Sequence, residues 1–148
     1  MKRIMDQITE FCFFVSGEPV PKQSFRAGGR NGGHADPRVK AWQELVGWEA
    51  QCARLLARDV DDPTKITMIE GAVSVELDFS LVDRRRVDLD NLSKGVLDGL
   101  KGVLFKDDSQ VVVLRLRKYV INNDPRAPIQ AKPGVLIKVR PVKREDAF

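Results

Sequence analysis

From Val73 to Leu81 the chain alternates strictly. Val73, Val75, Leu77, Phe79 and Leu81 are apolar, and Ser74, Glu76, Asp78 and Ser80 stand between them. A period of two is the spacing of a half-buried strand, with one row of side chains on a core and the other toward solvent. A strand of this kind needs partners. Val135–Val139 alternates in the same way, Val111–Ile121 is a longer β-prone run, and Phe11–Ser16, short and aromatic before Gly17, reads as a buried strand. Two helices fall between these strands. Asp36-Pro37 is an N-cap acid followed by proline at the first helical position. Val39, Trp42, Leu45, Val46, Ala53 and Leu56 then recur at helical spacing to about Arg58. A second helix is expected from about Asn91 to Val103. The order strand, helix, strand, helix, strand, strand predicts an α/β fold: a single compact domain over residues 1–148, with one mixed β-sheet covered by two helices. Residues 1–10 are expected to be a flexible or extra N-terminal segment.

Charge narrows the class further. The chain has 148 residues and a formal net charge of +4, a mild excess that suits an anionic partner without requiring one. Basic residues collect in Lys22–Lys40 and Arg115–Lys118, and acids around Asp83–Asp108. Pro19, Pro21, Gly28, Gly29, Gly32 and Gly33 punctuate a long loop. Cys12 and Cys52 sit in apolar surroundings without ligand spacing, and both read as buried free thiols. No apolar run is long enough to span a membrane, and Met1–Glu10 lacks the apolar stretch of a signal peptide, so a cytoplasmic location is expected, bacterial or in a phage-infected host.

Chemistry concentrates in Asp83-Arg84-Arg85-Arg86-Val87-Asp88-Leu89-Asp90-Asn91-Leu92-Ser93-Lys94. If this stretch is extended, Asp88 and Asp90 face the same side, about 6–7 Å apart at the backbone. Two carboxylates so placed repel each other unless a cation lies between them. An oxygen-only, histidine-free set favours Mg²⁺ over zinc. On the helix that follows, Lys94 lies one turn beyond Asp90, where it can meet a scissile phosphate; its plainer role is an i,i+4 ion pair with Asp98. Gly95, Gly99 and Gly102 form a seam that another backbone can approach closely, either a neighbouring helix of the same chain or a dimer partner. Asp107-Asp108, at the turn into the next strand, offers a third carboxylate or is ordinary turn chemistry.

Asp88-x-Asp90-Asn91-Leu92, with Lys94, Asp98 and Leu100 beyond it and Asp107-Asp108-x-x-Val111 after, resembles the RusA family of Holliday junction resolvases. Asp83-Arg84-Arg85-Arg86 and the early Gly17-x-Pro19-x-Pro21-Lys22 resemble it too. The resemblance runs from about Phe13 to Ile121 and points to a phage or prophage type. It implies Asp88, Asp90 and Asp108 as metal ligands, with Asp107 the alternative to Asp108, and Lys94 as catalytic. It also implies a homodimer that nicks opposing strands of a four-way DNA junction symmetrically. The expected cofactor is Mg²⁺, with Mn²⁺ able to substitute, and the chemistry is metal-assisted phosphodiester hydrolysis. Lys22, Arg26, Arg30, Arg38, Arg84, Arg85 and Arg86 are the expected phosphate contacts, making binding strongly salt-dependent. His34, alone in a glycine-rich loop, is more readily an exposed side chain than a ligand.

Two other classes compete. A metal-dependent phosphatase or phosphotransferase also uses Asp-x-Asp, but no phosphate-cradling glycine motif opens a helix here. A non-catalytic DNA-binding protein gains nothing from carboxylates that face phosphates.

Overall fold

The computed structural model describes residues 10–22, 36–57, 68–83, 87–122, 124–127 and 131–142. Its elements are β1 (Phe11–Ser16), α1 (Pro37–Leu56), β2 (Val73–Leu81), α2 (Leu89–Leu100), β3 (Val111–Val120) and β4 (Gly134–Pro141). The four strands form one sheet in the order β1-β4-β2-β3. β4 is antiparallel to both β1 and β2, whereas β2 and β3 run parallel. A parallel pair needs a crossover, and α2 supplies it. The expected α/β fold, one mixed sheet with two helices, is the fold observed.

The alternation in β2 sets which face is covered. Val73, Val75, Leu77, Phe79 and Leu81 are at most 1% exposed and meet Val135, Ile137 and Val139 of β4, with Trp42, Val46 and Ala50 of α1 and Leu92, Val96 and Leu100 of α2 in the same core. β2 is central, so its other row is also well covered, with Ser74 and Ser80 buried. On that opposite face Glu76 stands across from Arg115 and Asp78 across from Arg117, and the second pair closes at 2.8 Å. Two of the basic residues counted in Arg115–Lys118 are therefore balanced within the sheet, and Lys118 donates to the Val87 carbonyl at 2.7 Å.

Several expectations shift in detail. β1 is an edge strand rather than a buried one. Its alternate residues Phe11 and Val15 enter the core, while Cys12 is exposed and Phe14 is partly so, because the aromatic run hides a period of two. Cys12 and Cys52 are free thiols as expected, but neither is buried. α1 begins as predicted, with the Asp36 carboxylate accepting from the Arg38 N–H at 2.9 Å. Its inward row is Val39, Trp42, Val46 and Ala50, and Leu45 and Leu56 point outward.

α2 starts two residues earlier than predicted and stops three earlier. Gly102 takes φ +80°, a left-handed conformation that ends the helical path, so it lies in the turn and leaves the proposed seam. Gly95 and Gly99 do form a contact surface, and α1 of the same chain occupies it. A Cβ on Gly99 would stand 2.8 Å from the Gln43 carbonyl oxygen and 2.9 Å from Val46. At Gly95 the Val20 carbonyl of the proline loop and the Trp42 ring lie alongside.

Candidate functional site: the two ends of helix α2

Asp88 is the N-cap of α2, with extended backbone (φ −75°, ψ 136°), and Asp90 already belongs to the first helical turn. The two are therefore not neighbours on one face of a strand. They share the amino end of a helix, where unpaired N–H groups and the helix dipole favour negative charge. Asp88 makes no side-chain capping bond, although an N-cap aspartate ordinarily does. Both carboxylates are exposed. Lys94 extends back along the helix, and its ammonium lies 3.3 Å from Asp90 Oδ2. Its i,i+4 partner is thus Asp90 rather than Asp98. Lys118 of β3 donates to the Val87 carbonyl just before α2 and so ties this end of the helix near the carboxyl ends of the parallel strands, which the Ile121 N–H bond to the Leu81 carbonyl joins to each other. In open α/β sheets that is where ligands bind.

The other aspartates stand at the opposite end. Asp98 is eight residues past Asp90, about 12 Å along the axis at 1.5 Å per residue. Asp107 and Asp108 follow the turn after α2 and open a single 3-10 turn, Asp108–Gln110, that leads into β3. Their side chains do different things. Asp107 caps the turn, accepting from the Ser109 N–H at 3.1 Å, and Gln110 closes the reciprocal half of the capping box. Those bonds to Ser109 hold the Asp107 carboxyl below its ordinary range. Asp108 caps nothing, and its Oδ1 is buried without a hydrogen-bond partner among the described residues. Burial pushes its carboxyl above the usual carboxylate range; the charges of Asp98 and Asp107 add to that, and those of Lys101 and Lys22 oppose it. An orphaned, desolvated carboxylate oxygen is costly unless a cation or donor arrives. This arrangement favours Asp108 over Asp107 as a ligand candidate.

Because the folded-state pKa of Asp108 is raised, its ionisation costs stability as pH rises through that value, and the cost is absent below the unfolded-state pKa. In a chelator, Asp108→Asn should therefore melt at a higher temperature than the parent at pH 7, with the two curves merging at pH 3. Equal melting temperatures at neutral pH would show that Asp108 carries no burial penalty.

Lys22 is drawn inward rather than left free on the surface. Its ammonium pairs with Asp98 Oδ2, and its backbone N–H donates to the Asn91 carbonyl at 2.9 Å. Gln43 Nε2 reaches the same Asp98 oxygen at 3.4 Å. Arg38 folds back on Asp36, with 2.8 Å between Nη2 and Oδ2. Arg26, Arg30, His34, Arg84, Arg85 and Arg86 lie outside the described residues, as do nearly all of residues 1–10.

Among the described residues no three acidic, histidine or cysteine side chains converge on one point, so Asp88, Asp90 and Asp108 of a single chain are not gathered around one ion. Their chemistry nonetheless fits a hard cation: oxygen donors only, two of them exposed at a helix amino end and one with an oxygen buried and unpartnered. No described helix is long and apolar enough to cross a membrane.

Comparison with known proteins decides the family. The family model for Endodeoxyribonuclease RusA matches residues 16–132, which takes in every element from β2 to β3 and the whole of α1 and α2. The chain belongs to the RusA family. It is also 26% identical over 140 residues to the crossover junction endodeoxyribonuclease RusA of Aquifex aeolicus (strain VF5), a match covering 93% of this chain and 97% of that protein. This RusA-family chain is accordingly an endodeoxyribonuclease, a hydrolase of DNA phosphodiester bonds, and Asp88, Asp90, Lys94 and Asp108 all lie inside the matched region. Nucleases of this kind generally depend on divalent metal ions. Asp98 belongs to the same sequence motif, but its pairing with Lys22 is invisible to local patterns.

Proposed function

We propose that this endonuclease resolves four-way DNA junctions by paired, symmetric nicks, with Mg²⁺ as its cofactor and Mn²⁺ able to replace it, in the cytoplasm of a bacterium or phage-infected host. The observation that carries the reading is the grouping of Asp88, Asp90 and Lys94 on the first two turns of α2, in a chain whose family match spans that helix.

In this reading Asp88, Asp90 and Asp108 hold the ion. When bound, it supplies Lewis-acid polarisation of the scissile phosphate and eases deprotonation of the attacking water. The chain's own groups do the rest. Lys94, kept within reach by Asp90, offsets charge that builds on the phosphate oxygens as the water oxygen bonds to phosphorus and the bridging P–O bond breaks. The exposed amino end of α2 favours an approaching phosphate.

Two chains are needed. Mg²⁺ binds oxygens at about 2.1 Å, and about 12 Å of helix separates the Asp90 end from the Asp98 end, to which the Lys101–Asp107 pair ties the turn that carries Asp108. A homodimer whose two-fold axis sets α2 antiparallel to its copy brings Asp88 and Asp90 of one chain to the partner's Asp108. Val112 and Leu114, apolar yet 53% and 40% exposed on the outer strand β3, are available to such a contact. A synthetic four-way junction with Mg²⁺, run beside linear duplex, tests the activity. Paired nicks at symmetric positions, abolished by chelator, are expected; intact junctions after prolonged incubation with Mg²⁺ or Mn²⁺ would overturn it.

A further inference from the structure

The proline loop that follows β1 lies against α2, although 76 residues of sequence separate Lys22 from Asp98. Two contacts hold it there. The Val20 carbonyl lies over Gly95, 3.4 Å from where a Cβ would stand. The Lys22 N–H then bonds to the Asn91 carbonyl on the first turn of α2. From that anchor the Lys22 side chain runs along the helix to Asp98, whose accepting oxygen is also approached by Gln43 of α1. Three elements therefore converge on one carboxylate that the catalytic reading does not use. At the same end of α2, Lys101 pairs with Asp107 at 3.6 Å and so ties the Asp107-Asp108 turn to the helix.

An exposed lysine samples many rotamers and would sweep the surface as a diffuse charge. Here the lysine side chain is half-buried and tethered, and so is its partner, at 45% and 30% exposure. A tether of this kind is costly for simple phosphate steering, which works best with a free cation. It is well suited to holding one positive charge at a fixed place.

We propose that Asp98 is a positioning residue: it fixes the Lys22 ammonium on the carboxyl-terminal half of α2, the end to which the Lys101–Asp107 pair ties the Asp107-Asp108 turn, so that a cation stands ready there when the DNA phosphate arrives. Lys22 is then an ordered part of the active site, and Asp98 acts only through it. The inference rests on the placing of Asp108 in the site given above, and one of its tests is independent of that placing.

The test uses Asp98→Asn, Lys22→Ala and the double variant. In single-turnover junction cleavage each single variant should lose roughly 10- to 100-fold in rate, the scale expected for a displaced charge, with half-saturating DNA concentration and Tm little changed. The double variant should be no slower than the worse single one, because both changes remove the same ordered charge. Hydrogen exchange gives the activity-independent readout. The Lys22 amide, protected in the parent, should exchange much faster in Asp98→Asn. Parent-like cleavage by Asp98→Asn, multiplicative losses in the double variant, a loss explained wholly by weaker DNA binding or lowered Tm, or an unchanged Lys22 amide would each overturn the proposal. Faster exchange in a protein whose parent form cuts no branched DNA would instead overturn the junction reading and leave the tether standing.

Discussion

Asp90→Asn is expected to reduce junction cleavage by about a hundred- to a thousandfold, the order of effect seen when a preorganised transition-state contact is removed, while leaving the fold as stable as before. The two halves of that expectation have separate sources. Asparagine keeps the shape of the side chain but replaces a carboxylate oxygen with an amide, so in the proposed site a hard cation would lose a ligand. Stability should barely move, because Asp90 is exposed and its link to Lys94 is a surface i,i+4 pair, worth a few tenths of a kcal/mol. DNA binding should survive or tighten, since a negative charge facing phosphate is gone. The sharper result comes from mixing. If each site combines Asp88 and Asp90 of one chain with the partner's Asp108, a mixed dimer of Asp90→Asn and Asp108→Asn chains has one site with both changes and one with neither. Two inactive proteins, co-refolded, should then recover single nicks without recovering paired ones. Continued inactivity of the mixture, with mixed dimers confirmed by native mass spectrometry, would overturn the sharing of sites between chains, and an active Asp108→Asn protein on its own would remove Asp108 from the set.

That test is needed because the sequence and the fold speak about different parts of the site. β2 was legible because its period of two is a local property that packing then enforces, and the Val73–Leu81 row lies where its alternation put it. The Asp36-Pro37 helix start was legible for the same reason. Asp88 and Asp90 read as neighbours on one face of a strand, but they stand at the start of a helix: an extended residue before a helix and one within a strand share φ and ψ, and Asp88 at ψ 136° is the former. The available sign was that aspartate ahead of an apolar helical run is itself an N-cap. Cys12 was misplaced because its aromatic neighbours mask the alternation that leaves it on the open face. The difference between Asp107 and Asp108 rests on which carboxylate receives the Ser109 N–H and which is left orphaned, a matter of 3-10 geometry. Lys22 and Asp98 meet because a distant loop lies against α2 at Gly95, and no short window of sequence contains both.

Gly99 gives the largest expected effect on stability. It lies on the line where α1 and α2 approach most closely, with Gly47 opposite. A Cβ on Gly47 would be 3.2 Å from the Gly99 carbonyl, and one on Gly99 would be 2.8 Å from the Gln43 carbonyl and 2.9 Å from Val46. The nearest obstacle is backbone, which cannot rotate away. Any side chain at Gly99 therefore has to push the helices apart, and the layer of Val46, Leu92, Val96 and Leu100 opens with them. Alanine would gain about 1 kcal/mol of helix propensity and lose about 1–3 kcal/mol to overpacking, so its net effect is small and unfavourable. Valine has the same clash with two further methyl groups and a poorer helix propensity, and should cost about 3 kcal/mol or more. For a chain of this size that lowers Tm by about 10 °C, readable by thermal circular dichroism. Gly102→Ala is the informative control. Nothing lies within 4 Å of its added Cβ, so only the left-handed backbone at φ +80° is strained, for about 1 kcal/mol. A Gly99→Val protein that melts with the parent would mean that α1 does not sit on α2 at this distance. The helix carrying Asp88, Asp90, Lys94 and Asp98 would then have to be held by the sheet alone.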